Sequence, residues 1–188
     1  ISRNGDTVIT NVEQCTLCGT CVEACYAEAR EIVGRQMTTG QVMADIERAI
    51  VFCDQSGGGV TFSGGEPLSQ PDFLRSLLRA CKEREIHTTV DTCGFAAWKT
   101  LDSIRGYVDL FLYDLKLMDS AQHRRVTGMP NEVILDNLQM LSQRGHDIIL
   151  RVPIVPGIND DEKNIRRIGA YVSDSLSLNR VDILPYHH

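Results

Sequence analysis

Apolar residues recur along this chain with two periods, and the switching between them is the first structural signal. From residue 39 to about 54, Val42, Ile46, Ala49, Ile50 and Cys53 fall at helical spacing, with Thr38 or Thr39 as the capping residue. Val60-Thr61-Phe62 then reads as a strand, and Gly57-Gly58-Gly59 marks the turn before it. Pro71 opens a helix that carries Phe73, Leu74, Leu77, Leu78 and Cys81 on one face. His87–Val90 is the next strand, followed by a helix with Trp98, Leu101 and Ile104. Val108–Leu112 is a strand, and Asn131 starts a helix bearing Ile134, Leu135, Leu138 and Leu141. Ile148–Val155 is a strand, Ile165, Ile168 and Val172 mark a last helix, and Val181–Leu184 is the final strand.

Five strands separated by helices predict an α/β fold of parallel βα units. The short, continuous apolar runs predict strands buried on both faces. An open α/β sheet and a β/α barrel both fit this pattern. Ahead of it, residues 7–11 predict a short strand, and residues 26–33 continue it through Ile32-Val33 to a break at Gly34. The domain division expected is 1–35 and 36–188.

Composition narrows the functional classes. The 19 basic and 25 acidic residues give a net charge of −6, and no basic stripe with interleaved aromatics is present, so nucleic acid is not an expected partner. No apolar run approaches the roughly 20 residues of a membrane span, and no secretory signal opens the chain, so a cytoplasmic protein without a membrane partner is expected. The chain starts at Ile1 rather than Met and stops at His188, and it is expected to be a piece of a longer protein.

In parallel α/β folds the chemistry sits at the C-terminal ends of the strands. Those ends here deliver Ser63-Gly64-Gly65-Glu66-Pro67, then Asp91-Thr92-Cys93-Gly94, then Asp114-Leu115-Lys116, then Arg151 with Pro156-Gly157-Ile158-Asn159-Asp160, and last Pro185-Tyr186-His187. Paired glycines admit a ligand close to the backbone. Asp91, Asp114, Lys116, Arg151 and His187 are expected to converge on one mouth, suited to a zwitterion whose ammonium meets backbone carbonyls and whose carboxylate meets Lys116. Each residue also has a plainer reading. Gly-Gly-Glu occurs in many turns, Asp114 and Lys116 could pair with each other, Arg151 could make a structural ion pair, and His187 could be a satisfied histidine.

The seven cysteines are unevenly placed. Cys53 and Cys81 lie on apolar helix faces and read as core, and Cys93 reads as a packing residue beside Asp91. Cys15, Cys18, Cys21 and Cys25 form C-x2-C-x2-C-x3-C, the spacing of bacterial ferredoxins, which favours a [4Fe-4S] cluster over zinc. Tyr26 follows Cys25 where proline is usual. Cys25 either completes this cluster or reaches across to another.

In order and spacing, Thr61-Phe62-Ser63-Gly64-Gly65-Glu66-Pro67-Leu68, Val90-Asp91-Thr92-Cys93-Gly94, Asp114-Leu115-Lys116, Arg151-Val152-Pro153-Ile154-Val155-Pro156-Gly157 and Leu184-Pro185-Tyr186-His187 resemble the glycyl-radical-enzyme activases of the radical S-adenosylmethionine (SAM) superfamily. The resemblance implies a partial β/α barrel with a small ferredoxin-like insert. It also implies an oxidoreductase that cleaves SAM reductively to a 5′-deoxyadenosyl radical, which takes hydrogen from a glycine of a partner enzyme. By it, Gly64, Gly65 and Glu66 bind the SAM amino group, Asp114, Leu115 and Lys116 meet its carboxylate and ribose with His187 nearby, and Asp91 joins Asp114 around a monovalent cation. Arg151 is similar to a residue that places the substrate glycine loop. The partner implied is a pyruvate formate-lyase-like enzyme or a related lyase, dehydratase or decarboxylase, with flavodoxin or ferredoxin as electron donor in an anaerobic setting. The superfamily's catalytic [4Fe-4S] cluster is held by C-x3-C-x2-C, and no such run occurs in this chain, so on its own it is expected to be inactive. Two other readings stay open: a radical SAM enzyme acting on a small molecule or peptide through an accessory cluster, and a non-enzymatic iron–sulfur electron carrier.

Overall fold

The structure, a computed structural model, describes residues 1–5, 7–178 and 180–186, with side chains at all of these but 4 and 53–56. The chain divides into two compact units, Ile1–Thr38 and Thr39 onwards.

In the first unit β1 (Ser2–Asn4) pairs antiparallel with β2 (Thr7–Ile9), and a single turn of helix, α1 (Thr20–Glu23), starts from Gly19 in the left-handed region at φ 82°. The strand expected at 7–11 is thus shorter, and residues 26–33 form no strand. Arg30 explains the difference. Its guanidinium donates to Thr10 Oγ1 at 2.7 Å and Val8 O at 3.1 Å, so this segment is fixed to β2 by a side chain and not by a ladder.

The second unit opens with α2 (Thr39–Ser56), β3 (Val60–Phe62), α3 (Pro71–Lys82), β4 (Thr88–Thr92) and α4 (Trp98–Ile104). It continues through β5 (Leu110–Asp114), α5 (Ser120–Thr127), α6 (Glu132–Gln143), β6 (Ile148–Ile154), α7 (Glu162–Ser175) and β7 (Arg180–Pro185). The strands form one parallel sheet in the order β3-β4-β5-β6-β7. Because neighbours in sequence are neighbours in space, every C-terminal strand end lies along one edge.

Burial decides between the two architectures that the sequence allowed. Along β5 and β6, fully buried residues alternate with half-buried ones. Val90, Phe111, Tyr113, Ile148, Leu150 and Val152 join Leu74, Leu78, Leu101, Ile104, Leu138, Leu141 and Ile168 of the helices in one core. The helices therefore cover one face, as in a β/α barrel wall, and the opposite face keeps Asp91, Asp114 and Arg151 half-buried. The expectation of strands buried on both faces holds for β4, of which Asp91 alone is half-buried, and fails for β5 and β6 for this reason. A second cluster packs Met43 of α2 against Leu77 and Cys81 of α3, where the Cys81 thiol meets Met43 Sδ at 3.8 Å. Cys81 is a core residue, as expected. Cys53 has its side chain outside the described set.

Strand bounds differ from the sequence reading by one or two residues, and one helix is additional. β5 begins at Leu110 and not Val108, because Asp109 is occupied before the strand starts: it accepts from Thr88 N at 2.8 Å and pairs with Lys82. Helix α5 was not expected at all, since its sequence is polar almost throughout. Asp119 caps it by accepting from Gln122 N at 2.9 Å, and Gly128 ends it in the left-handed region.

Close packing has a sharp test at Gly94. A methyl group there would lie 1.7 Å from Tyr113 Oη, which donates to Ile134 O at 2.7 Å, and its φ of +69° already disfavours a side chain. Gly94→Ala should lower unfolding stability by about 2 kcal/mol or more, whereas Gly106→Ala, with open space around it, should stay within ~1 kcal/mol; urea denaturation of both variants checks this.

Candidate functional site

The turn after β3 carries two consecutive glycines in the left-handed region, Gly64 at φ 88° and Gly65 at φ 67°. Nothing lies within 4 Å of where a Cβ would stand on either. The sequence needs glycine here for conformation, and the result is bare, accessible backbone at a strand end. Glu66 follows and caps the short turn Pro67–Ser69. Its carboxylate is fully engaged: one oxygen accepts from Leu68 N at 3.1 Å and Thr92 Oγ1 at 2.7 Å, the other from Cys93 N at 3.0 Å and the Cys93 thiol at 3.1 Å. Glu66 therefore ties the β3 turn to the end of β4 and directs no free oxygen outward. Burial, then the hydrogen bond to Glu66, pushes the Cys93 thiol above its ordinary range.

Arg151 of β6 sits between two carboxylates of the neighbouring strands. Its Nε donates to Asp114 Oδ1 at 2.8 Å, its Nη2 lies 2.7 Å from the same oxygen, and Nη2 also pairs with Asp91. Ser63 Oγ donates to the other oxygen of Asp91 at 3.1 Å. All three charged side chains are about a fifth exposed. Burial opposes the charge on Arg151, but Asp114 and Asp91 more than offset it and hold its pKa above the ordinary guanidinium value. The plain reading of Arg151, a structural ion pair, describes this geometry, with the guanidinium between Asp91 and Asp114.

That pairing leaves Lys116 apart from Asp114. Lys116 is half-buried, and its ammonium has no hydrogen-bond or ion-pair partner among the described residues. It lies close enough to Cys93 to act on that thiol electrostatically. The side chain of Leu115 is 1% exposed and belongs to the core, so it does not line the mouth. His187 lies outside the described residues. The structure thus gathers Gly64, Gly65, Glu66, Asp91, Asp114, Lys116 and Arg151 at one sheet edge, linked laterally by hydrogen bonds. Sequence reading missed Thr92, whose hydroxyl joins Glu66 to Gly94 N, and the buried amides Asn131, Asn159 and Asn164 beneath the loops. Thr92 and Asn159, each beside an Asp at or after a strand end, carried that much signal in the sequence, whereas Asn131 and Asn164, at or inside helices, carried none.

In the first unit Cys15, Cys18, Cys21 and Cys25 all carry free thiols and all line one open concavity of about 1350 Å³. The Thr20 hydroxyl, at 3.4 Å, and its backbone N–H hold the Cys18 thiol below its ordinary range, which favours the thiolate that metals bind. Among the described residues no three such side chains are drawn together as a ligand set. Four thiols at C-x2-C-x2-C-x3-C spacing are the donor type that an iron–sulfur cluster takes, and the fit rests on that donor set alone.

Residues 14–168 match the model of the radical SAM superfamily. The chain belongs to that superfamily. It is 42% identical to the choline trimethylamine-lyase activating enzyme of Oleidesulfovibrio alaskensis over 86% of this chain and 53% of that protein. It is 38% identical to the trans-4-hydroxy-L-proline dehydratase activating enzyme of Clostridioides difficile over 96% of this chain and 70% of that protein. The chain spans little more than half the length of the first curated relatives it matches. Among solved structures, a domain of pyruvate-formate lyase-activating enzyme from Bacteroides vulgatus superposes with a TM-score of 0.64 at 39% identity, over 69% of this chain and 81% of that one. Streptococcus suis SuiB bound to S-adenosylmethionine gives 0.66 at 18% identity, over 87% of this chain and 37% of that one, which shows a shared fold. No helix among the described residues is long and apolar enough to cross a membrane.

Two measurements test this edge. Arg151→Met should cost about 1–3 kcal/mol of unfolding stability by leaving two part-buried carboxylates unpaired, and Arg151→Lys should restore only part of it, because a point charge does not span both. Glu66→Gln removes the negative charge beside Cys93, so the thiol pKa should fall and alkylation of Cys93 at pH ~8, followed by peptide mass spectrometry, should quicken severalfold.

Proposed function

We propose that this chain forms the SAM-binding wall and part of an iron–sulfur insert of an activating enzyme, an oxidoreductase that places a radical on a glycine of a partner enzyme. The observation that carries this reading is the strand edge itself. Bare backbone at Gly64 and Gly65 lies on the same edge as one uncommitted ammonium, Lys116, while Glu66, Asp91, Asp114 and Arg151 are each already engaged by partners within the protein. An amino acid zwitterion needs that division: carbonyls for its ammonium and a cation for its carboxylate. Glu66, Asp91, Asp114 and Arg151 hold the loops in place around it. Similarity to relatives named as activating enzymes of lyases, dehydratases and a decarboxylase supports a partner of that kind.

Cys15, Cys18, Cys21 and Cys25 are proposed to hold an accessory [4Fe-4S] cluster. The ligands of the catalytic cluster are supplied by residues that this sequence does not contain, since it has no C-x3-C-x2-C run. Bound SAM and a reduced cluster together supply one-electron chemistry able to remove hydrogen from carbon. The protein's own residues bind, orient and shield. A soluble electron donor such as flavodoxin or ferredoxin and a cytoplasmic, anaerobic setting complete the proposal.

The test is SAM titration of the full-length, anaerobically reconstituted protein by calorimetry. Lys116→Ala should weaken SAM binding about tenfold, equal to ~1.4 kcal/mol, with iron content unchanged. An unchanged affinity would remove Lys116 from the site and overturn the reading.

A further inference from the structure

The segment that carries Lys116 is held by an unusual number of buried amides. Asn159 Nδ2 donates to Lys116 O at 2.8 Å. Asn131 Nδ2 donates to Leu117 O at 2.8 Å, although its place at the start of α6 is one where asparagine ordinarily caps the helix. Asn164 Oδ1 accepts from Met118 N at 3.0 Å. Leu115 N donates to Arg151 O at 2.9 Å. Four consecutive residues after β5 thus each have a main-chain group fixed by a different partner.

Asn159 is the most committed of the three amides. It is 2% exposed, and its Nδ2 also donates to Pro153 O at 2.7 Å while its Oδ1 accepts from Val155 N at 2.7 Å. Its own carbonyl accepts from Asn164 Nδ2 at 3.0 Å. A buried amide bound in three directions has a single orientation, because turning it would leave donors facing donors in a place without water. It therefore bolts the end of β6 to the loop after β5. The Lys116 side chain has no partner of its own among the described residues, so main-chain geometry alone sets where the ammonium starts from.

We propose that Asn159 is the positioning residue for Lys116: by gripping the Lys116 carbonyl it aims the ammonium into the strand-end mouth. This rests on the reading of that mouth as the SAM site. A purely structural role would stabilise the turn at residues 155–159 and affect SAM only through folding. A positioning role couples Asn159 to the lysine specifically.

The experiment is a double-mutant cycle in the full-length reconstituted protein, reading SAM affinity by calorimetry and stability by urea denaturation. Asn159→Asp keeps the shape and the acceptor for Val155 N but loses both donors; Asn159→Ser serves if the aspartate variant does not fold. Either should weaken SAM binding about fivefold in the parent background and less than about twofold when Lys116→Ala is already present. Asn137→Asp is the control. That amide, also 2% exposed, donates to Gly94 O and Ala96 O at 2.8 Å after β4 and does not touch Lys116, so its loss should lower stability and leave SAM affinity within about twofold. Equal effects of the Asn159 change in both backgrounds would overturn the proposal. No effect of Lys116→Ala by itself would instead overturn the site reading on which it stands.

Discussion

A parallel strand that ends in a loop leaves its last main-chain groups and its polar side chains facing one edge of the sheet, with no ladder to satisfy them. In this protein the satisfaction comes sideways. Glu66 binds the end of β4 from the turn after β3, Arg151 binds the ends of β4 and β5 from β6, and Asn159 binds the loop after β5 from the loop after β6. Each tie crosses one strand boundary or two. The edge is consequently one connected polar layer above an apolar core, and the shape of the mouth depends on that layer being complete.

Magnitudes separate these ties from the many other charged contacts. Pairs such as Arg79–Glu83 and Arg166–Glu162 lie on exposed helix faces, more than half exposed on both sides, and contribute about 0–0.5 kcal/mol each. The Arg151 cluster is about four-fifths buried and bridges three strands, so removing its cation strands two carboxylates where water cannot fully solvate them. Glu66, half-buried with both carboxylate oxygens engaged, is likewise a fixed part of the wall. What remains outside these ties is the ammonium of Lys116 and the backbone of Gly64 and Gly65, the groups on which the proposed SAM site rests.

The two units pose opposite physical problems. The sheet unit fixes the backbone of its strand-end loops through its core and its buried amides. The cysteine unit has short strands, a single helical turn and thiols spread around a concavity, with Val12, Leu17, Tyr26 and Val33 exposed. A segment this small cannot bury enough apolar surface to order itself tightly, and metal ligation is the usual substitute.

The sequence by itself determined the alternation of the five sheet strands with apolar-faced helices, because apolar period and glycine or proline punctuation are local properties. It also picked out the polar residues at the strand ends and the C-x2-C-x2-C-x3-C run, which are visible without coordinates. It did not show α5, whose polar sequence hides its caps, nor the absence of a strand at residues 26–33, which Arg30 decides through space. Above all, the use of each polar residue was a tertiary matter. Asp114 and Lys116 lie two apart in the chain and could have paired, yet Arg151, 37 residues away, takes Asp114 and frees the lysine. Asn159 gave no sign of its hold on Lys116, 43 residues distant. Period and composition are written in neighbouring residues, whereas hydrogen-bond partners are chosen only when the sheet brings distant strand ends within 3 Å of one another.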